Sequence, residues 1–150
     1  MVYGLVVCFL LAVGLLVALS CTARPPVTGL DDAHLRPCPP KPNCVCSEED
    51  KESAAWIEPL HFEGTAGAAW RTLRQTVQDA GGTIQEDNGG YLWATFQTGV
   101  FRFVDDMEFR MAAAESVIHV RSASRVGYWD LGVNRKRIQK LRAQFGGTTK

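Results

Sequence analysis

The chain has 150 residues, with 16 Lys and Arg against 16 Asp and Glu, so its formal net charge at neutral pH is zero. A chain without a global basic field is not built for nonspecific nucleic-acid binding, and nucleic acid is set aside as a partner. Beyond an apolar N-terminus about 125 residues remain, enough for one ordinary domain with its own core.

Val2 to Leu19 carries no charge. A bilayer core takes roughly 20 apolar residues, so the run is about long enough to span one, and it also fits a secretory signal. Ala18-Leu19-Ser20-Cys21 resembles a bacterial lipobox, in which a small residue precedes a cysteine that is lipidated and becomes the new N-terminus. Ala18 stands where lipoboxes favour Leu, and the start lacks Lys and Arg. The expectation for residues 1–21 is a leader lipidated at Cys21, with an uncleaved single-pass anchor as the alternative. Either form puts the domain outside the membrane, in the bacterial cell envelope.

Thr22 to Asp50 is Pro-rich and reads as an irregular tether, leaving residues 51–147 as the domain. Three cysteines cluster in Cys38-Pro-Pro-Lys-Pro-Asn-Cys44-Val-Cys46. In an exported protein a Cys38–Cys44 disulfide closing this short loop is the first choice. A Cys38–Cys46 pairing stays open, because connectivity is not readable from sequence. A metal site of Cys38, Cys44 and Cys46 with His34 or His61 has soft ligands enough, but lacks the C-x-x-C spacing of zinc sites. No metal or cofactor is expected.

Trp56 to Phe62 alternates well enough for a first strand, with Pro59 demoting it towards an edge. Thr65 to Ala80 reads as a helix, because Ala66, Ala69, Trp70, Leu73 and Val77 recur at helical spacing. Thr65 is the N-cap and Gly81 the C′ stop. Trp70 is expected as a core aromatic rather than a ligand platform. Thr83 to Glu86 is a short strand, Asp87-Asn-Gly-Gly90 a turn, and Tyr91 to Gln97 the next strand. Thr98-Gly99 turns or bulges.

Phe101 to Met111 alternates almost without fault. Phe103, Asp105, Met107 and Phe109 face one way; Arg102, Asp106, Glu108 and Arg110 face the other. Val117 to Val126 is the neighbouring strand. Pairing Ala112 with Val117 sets Met111 against Ile118, Phe109 against Val120 and Asp105 against Ser124 on the core face. The same register sets Arg110 against His119 and Glu108 against Arg121 on an outer face. Apolar meets apolar and charge meets charge, as a half-buried antiparallel sheet requires. The last helix starts near Asn134 as N-cap, with Ile138, Leu141 and Phe145 as its buried stripe. Its first turn carries Arg135, Lys136 and Arg137, each opposing the helix dipole at a cost of roughly 0.3–1 kcal/mol. Asp130 and the acidic strand residues are the nearest groups able to offset them. The fold class expected is α+β: an antiparallel sheet of about four or five strands with two helices on one face, plus the N-terminal membrane segment.

Pro37-Cys38-Pro39, Pro42-Asn43-Cys44-Val45, Phe101-Arg-Phe-Val-Asp-Asp106, Glu108-Phe109, Arg121-Ser-Ala-Ser-Arg125, Gly127 and Asp130-Leu-Gly-Val-Asn-Arg-Lys-Arg-Ile138 together resemble an uncharacterised bacterial and plastid family, the DUF 1499 family. The resemblance runs from roughly Leu35 to Phe145. The family brings no assigned activity. Its members often look membrane-anchored or exported, in agreement with the leader. A serine is usual there after Cys-Val, where this chain has Cys46; the resemblance therefore supports Cys38–Cys44 as the pair and leaves Cys46 an extra thiol.

Asp105 is the most unusual residue, a carboxylate in a core-facing slot that must find partners or lose its charge. Asp105, Ser124, Arg125, Asp130, Asn134 and Arg135 are the candidate polar site at one sheet end. They form either a ligand or catalytic site, or an ion-pair network that docks the last helix, and the network is favoured. Nucleophilic catalysis lacks a His–Asp partner for Ser122 or Ser124, and no Gly-rich phosphate loop is present. Arg135 to Arg142 offers cations to anionic lipid, or simply a solvated helix face. The functional expectation is a membrane-anchored envelope module, non-enzymatic, that binds a lipid or protein partner or a small apolar or anionic ligand. The alternative is an enzyme built on Asp105 and Asp130.

Overall fold

The structure, a computed structural model, describes residues 4–9, 11, 13–14, 27–97 and 103–148. Cys21 with its lipobox, the Thr98-Gly99 turn and Phe101-Arg102 lie outside the described residues. Residues 4–9, 11 and 13–14 are helical. Among the described residues no helix is long and apolar enough to cross a membrane, so the membrane segment of the expected fold finds no support there.

The domain is α+β. Strands β1 (Leu30–Asp31) and β2 (His34–Leu35) form a small hairpin. Six further strands make one antiparallel sheet: β3 (Cys44–Cys46), β4 (Leu60–His61), β5 (Thr83–Asp87), β6 (Tyr91–Gln97), β7 (Val104–Ala112) and β8 (Val117–Ser124). Their spatial order is β3-β8-β7-β6-β5, with β4 also pairing β8. Helix α1 (Ala66–Asp79) follows β4, and α2 (Val133–Thr148) closes the chain.

The register of β7 on β8 is the expected one, from Asp105 opposite Ser124 to Ala112 opposite Val117. The turn between them lacks Gly and is built instead as a 3-10 turn over Ala113–Glu115, with Ser116 left-handed at φ 55°. Thr65 caps α1 through Oγ1, which accepts from Ala68 N at 3.3 Å. Gly81 takes φ 87° after the helix, where a Cβ would be strained. Gly82 follows in a position that admits no side chain: a Cβ there would stand 2.6 Å from the Phe96 ring and 2.9 Å from Val77 O. This close approach lays α1 directly on β6.

Both helices pack on the same sheet face. Leu73 and Val77 of α1 and Ile138, Leu141 and Phe145 of α2 bury against Leu92, Phe96, Met107, Phe109, Ile118 and Val120. Val45 and Leu60 extend that core at the β8 edge. Trp70 belongs to it as expected, its Nε1 donating to Asp87 Oδ1 at 3.0 Å.

Three expectations need correction. The sheet has six strands rather than four or five, because the segment before residue 51 contributes β3. Residues 27–50 are therefore part of the domain and not a tether: Leu35, Cys44, Val45 and Cys46 are all buried, an apolar content that the prolines mask in composition. The strand expected over Trp56 to Phe62 shrinks to Leu60–His61, directly after Pro59, whose missing N–H cannot join a ladder.

Candidate functional site

On the helix face, Asp105 is buried and Arg137 Nη2 donates to its Oδ2 at 2.7 Å. The Arg137 guanidinium lies 5.1 Å from the Phe96 ring centre, so its flat face stacks while its edge pairs. Arg137 Nη1 also donates to Asn134 Oδ1 at 3.2 Å. Asn134 is fully buried and links the elements: its Oδ1 accepts from Ser122 Oγ at 2.5 Å. Its Nδ2 stands 2.9 Å from Ser124 Oγ, 2.9 Å from Asp130 Oδ2 and 3.1 Å from Asn43 O. Asp130 takes the helix entry. Its Oδ1 accepts from Gly132 N at 2.9 Å and its Oδ2 from Asn134 N at 2.8 Å.

Of the six residues expected at one sheet end, Asp105, Ser124, Asp130 and Asn134 belong to this one network. Arg125 and Arg135 do not. Arg125 lies on the opposite face, its Nε and Nη2 gripping Asp106 at 2.7 and 2.8 Å. Arg135 reaches across to Ala54 O and Trp56 O at 2.7 and 2.9 Å. Asn134 is not the N-cap. Leu131 and Gly132, at φ 57° and 75°, fold the chain so that the Asp130 carboxylate caps from below, and Asn134 turns inward. The acid expected to offset the first-turn cations is thus Asp130, with Asp105 holding Arg137. Sequence reasoning missed Arg137 itself. Its signal was there: Asn134, Arg137, Ile138 and Leu141 share one helical stripe.

The second face was expected to be solvated and is not. Asp106 and Glu108 are fully buried, and Arg121 nearly so. Arg121 Nη1 donates to Glu108 Oε2 at 2.7 Å; Tyr91 Oη and Gly29 N donate to Glu108 Oε1 at 2.7 and 2.9 Å. Trp93 Nε1 adds a bond to Asp106 at 2.8 Å. Residues 27–50 cover this layer, with Leu35, Cys46 and Tyr91 forming a small second core. Glu48 latches the cover: Arg110 and His34 Nδ1 bond its Oε1, and Leu35 N donates to Oε2 at 2.6 Å. Burial pushes the Glu48 carboxyl up, but the bonds from Arg110, His34 and Leu35 N outweigh it and hold the group below its ordinary value. Burial depresses the His119 imidazole, whose Nδ1 lies 3.1 Å from Ser47 Oγ. Burial and the Glu108 carboxylate together raise the Tyr91 phenol far above its usual range.

Cys38 and Cys44 form a disulfide, as expected, with Cα atoms 5.7 Å apart. Cys46 is a free buried thiol, pushed by burial up to about 11. The disulfide loop walls an open cleft of about 520 Å³, lined by Pro39, Pro40 and Lys41 together with Trp129, Asp130 and Arg135. Beside the cleft, Tyr128, Trp129 and Leu131 are 69%, 64% and 64% exposed. Nothing in the periodicity flags these three, since they lie between two helix- and strand-coded segments.

A family model described as a protein of unknown function (DUF1499) matches residues 34–145. Its start within the covering segment agrees with that segment's place in the fold. No curated protein matches the chain.

Proposed function

Since this chain belongs to the DUF1499 family, whose description assigns no activity, we propose from the geometry that it is a non-enzymatic binding module, tethered to a membrane of the bacterial envelope by residues 1–21. It takes its partner at the cleft between the disulfide loop and the turn carrying Trp129. The observation that carries this reading is the burial of the strand acids, each against its own arginine. Asp105, Asp106 and Glu108 are each held by an arginine at 2.7 Å. A carboxylate so paired and buried lacks the solvent access that general acid–base chemistry on an external substrate needs. Asp130 does line the cleft, yet both its oxygens already accept bonds that build the helix entry. An enzyme built on Asp105 and Asp130 would have to dismantle its own fold to use them. The cleft, by contrast, offers an aromatic wall, prolines that lose little entropy on contact, and the cations Lys41 and Arg135.

Native mass spectrometry of the full chain, extracted from its own membrane, tests this. The expected result is a bound adduct that Trp129→Ala with Lys41→Ala removes and Asp105→Asn keeps. An adduct indifferent to the cleft variant but lost from a folded Asp105→Asn protein would instead support the carboxylate site.

A further inference from the structure

We propose that the turn Tyr128-Trp129-Asp130-Leu131 docks into the headgroup interface of an anionic lipid bilayer. The inference rests on the tethered reading above and names the surface that the domain then meets. Outside the N-terminal segment, Tyr128, Trp129 and Leu131 are the most exposed large apolar side chains after Val27 among the described residues. They occur within four positions and project from a fixed base. Asp130 holds the turn through Gly132 N and Asn134 N, and Asn43 Nδ2 holds Gly127 O at 2.7 Å. A rigid loop that presents an apolar trio to water leaves burial against something else as its rationale.

The chemistry of the trio selects the occupant. Trp and Tyr carry an apolar ring with one polar handle, the composition that partitions to the bilayer interface, and Leu supplies hydrocarbon contact. Charge agrees. Lys41 and Arg135 line the cleft with Trp129, and the exposed Lys136 follows on the first turn of α2. None of the three forms an ion pair among the described residues; the acids alongside, Glu49 and Asp130, accept from Cys38 N and at the helix entry, so three cations stand against two carboxylates. The surplus is positive, as an anionic leaflet requires. Chain length supplies the third argument. Residues 20–26 are all that separate the apolar run ending at Leu19 from Val27, and seven residues reach at most roughly 25 Å. Gly29 is pinned to Glu108, so the sheet cannot move far from that attachment.

The test uses the full chain in vesicles of phosphatidylethanolamine and phosphatidylglycerol whose acyl chains carry bromine. Bromine quenches indole within the bilayer, and Trp129 is the exposed one of the four tryptophans. The expected result is lipid quenching that Trp129→Phe abolishes and that Lys41→Gln with Lys136→Gln weakens. Circular dichroism serves as the folding control for each variant. Equal fractional quenching in wild type and Trp129→Phe overturns the proposal and leaves a protein surface as the occupant. A chain that floats with the vesicles without Trp129 quenching overturns the docking alone; a chain that does not float overturns docking and tether together.

Discussion

Asp106, Glu108 and Arg121 show how a residue's meaning depends on what covers it. Each sits at a position whose alternation marks it as outward, and each is buried. Removing two charges from water costs several kcal/mol per ion, and such a pair persists only with good geometry and further bonds. Glu108 has both: the Arg121 guanidinium, the Tyr91 hydroxyl and Gly29 N. Removing one partner is far worse than removing both. We therefore expect Glu108→Gln, which keeps the shape but strands the Arg121 charge, to lower unfolding stability by about 3–5 kcal/mol. Urea denaturation in mild detergent measures it, and a loss under about 1 kcal/mol would show the layer to be hydrated rather than sealed.

At the scale of elements, the covering segment of residues 27–50 decides the pH response. The Glu48 carboxyl is held below its ordinary value in the fold. Its contribution is therefore complete above the unfolded value of 4.5 and is lost as pH falls through the depressed folded value. His119, depressed by burial, likewise contributes fully above 6.5 and loses that contribution as pH drops below it. Arg110, Glu115 and His34 bear on the same ring, and Arg110 and His34 also hold Glu48. Both signs agree, so the melting temperature should fall in two steps on acidification, one below 6.5 and one below 4.5. His119→Gln removes the first step; a profile identical to wild type would contradict the assignment.

What the sequence revealed and concealed follows the same division. Period-2 alternation over Val104 to Ala112 and Val117 to Ser124 read out the central hairpin residue by residue, because core-face matching penalises any slip. Helical spacing over Ala66 to Val77 did the same for α1. Alternation reports which residues share a face but not what lies over that face. The cover is a Pro-rich segment whose buried or half-buried apolar residues, Leu35, Val45 and three cysteines, follow no period. Four of the six residues expected in the polar site were legible for a related reason. Asp105, Ser124, Asp130 and Asn134 could be grouped by register and proximity in sequence. Placing Arg137 instead of Arg135 beside Asp105 needed the helix phase, which the Leu131-Gly132 turn shifts.

At the scale of the molecule, the sheet is a slab between two unlike layers. One side is a hydrocarbon core under α1 and α2. The other is a sealed layer of charges under the disulfide-stapled cover. The two meet at the end of β8, where Asn134 joins β8, β3's approach and α2 through four neighbours. That junction also carries the cleft and the aromatic turn, so the networks that stabilise the domain also hold the surface proposed for a partner. Asp105 and Arg137 are the pair on which the structural reading turns, because Arg137 is what brings α2 onto the sheet at the carboxylate. A double-mutant cycle of Asp105→Asn and Arg137→Gln, followed by urea unfolding of the full chain in mild detergent, measures whether they satisfy each other. The account predicts a favourable coupling above about 1.5 kcal/mol with both single variants destabilised. Coupling within about 0.5 kcal/mol of zero, with either single variant more stable than wild type, would contradict it and mark Asp105 as a charge kept for chemistry.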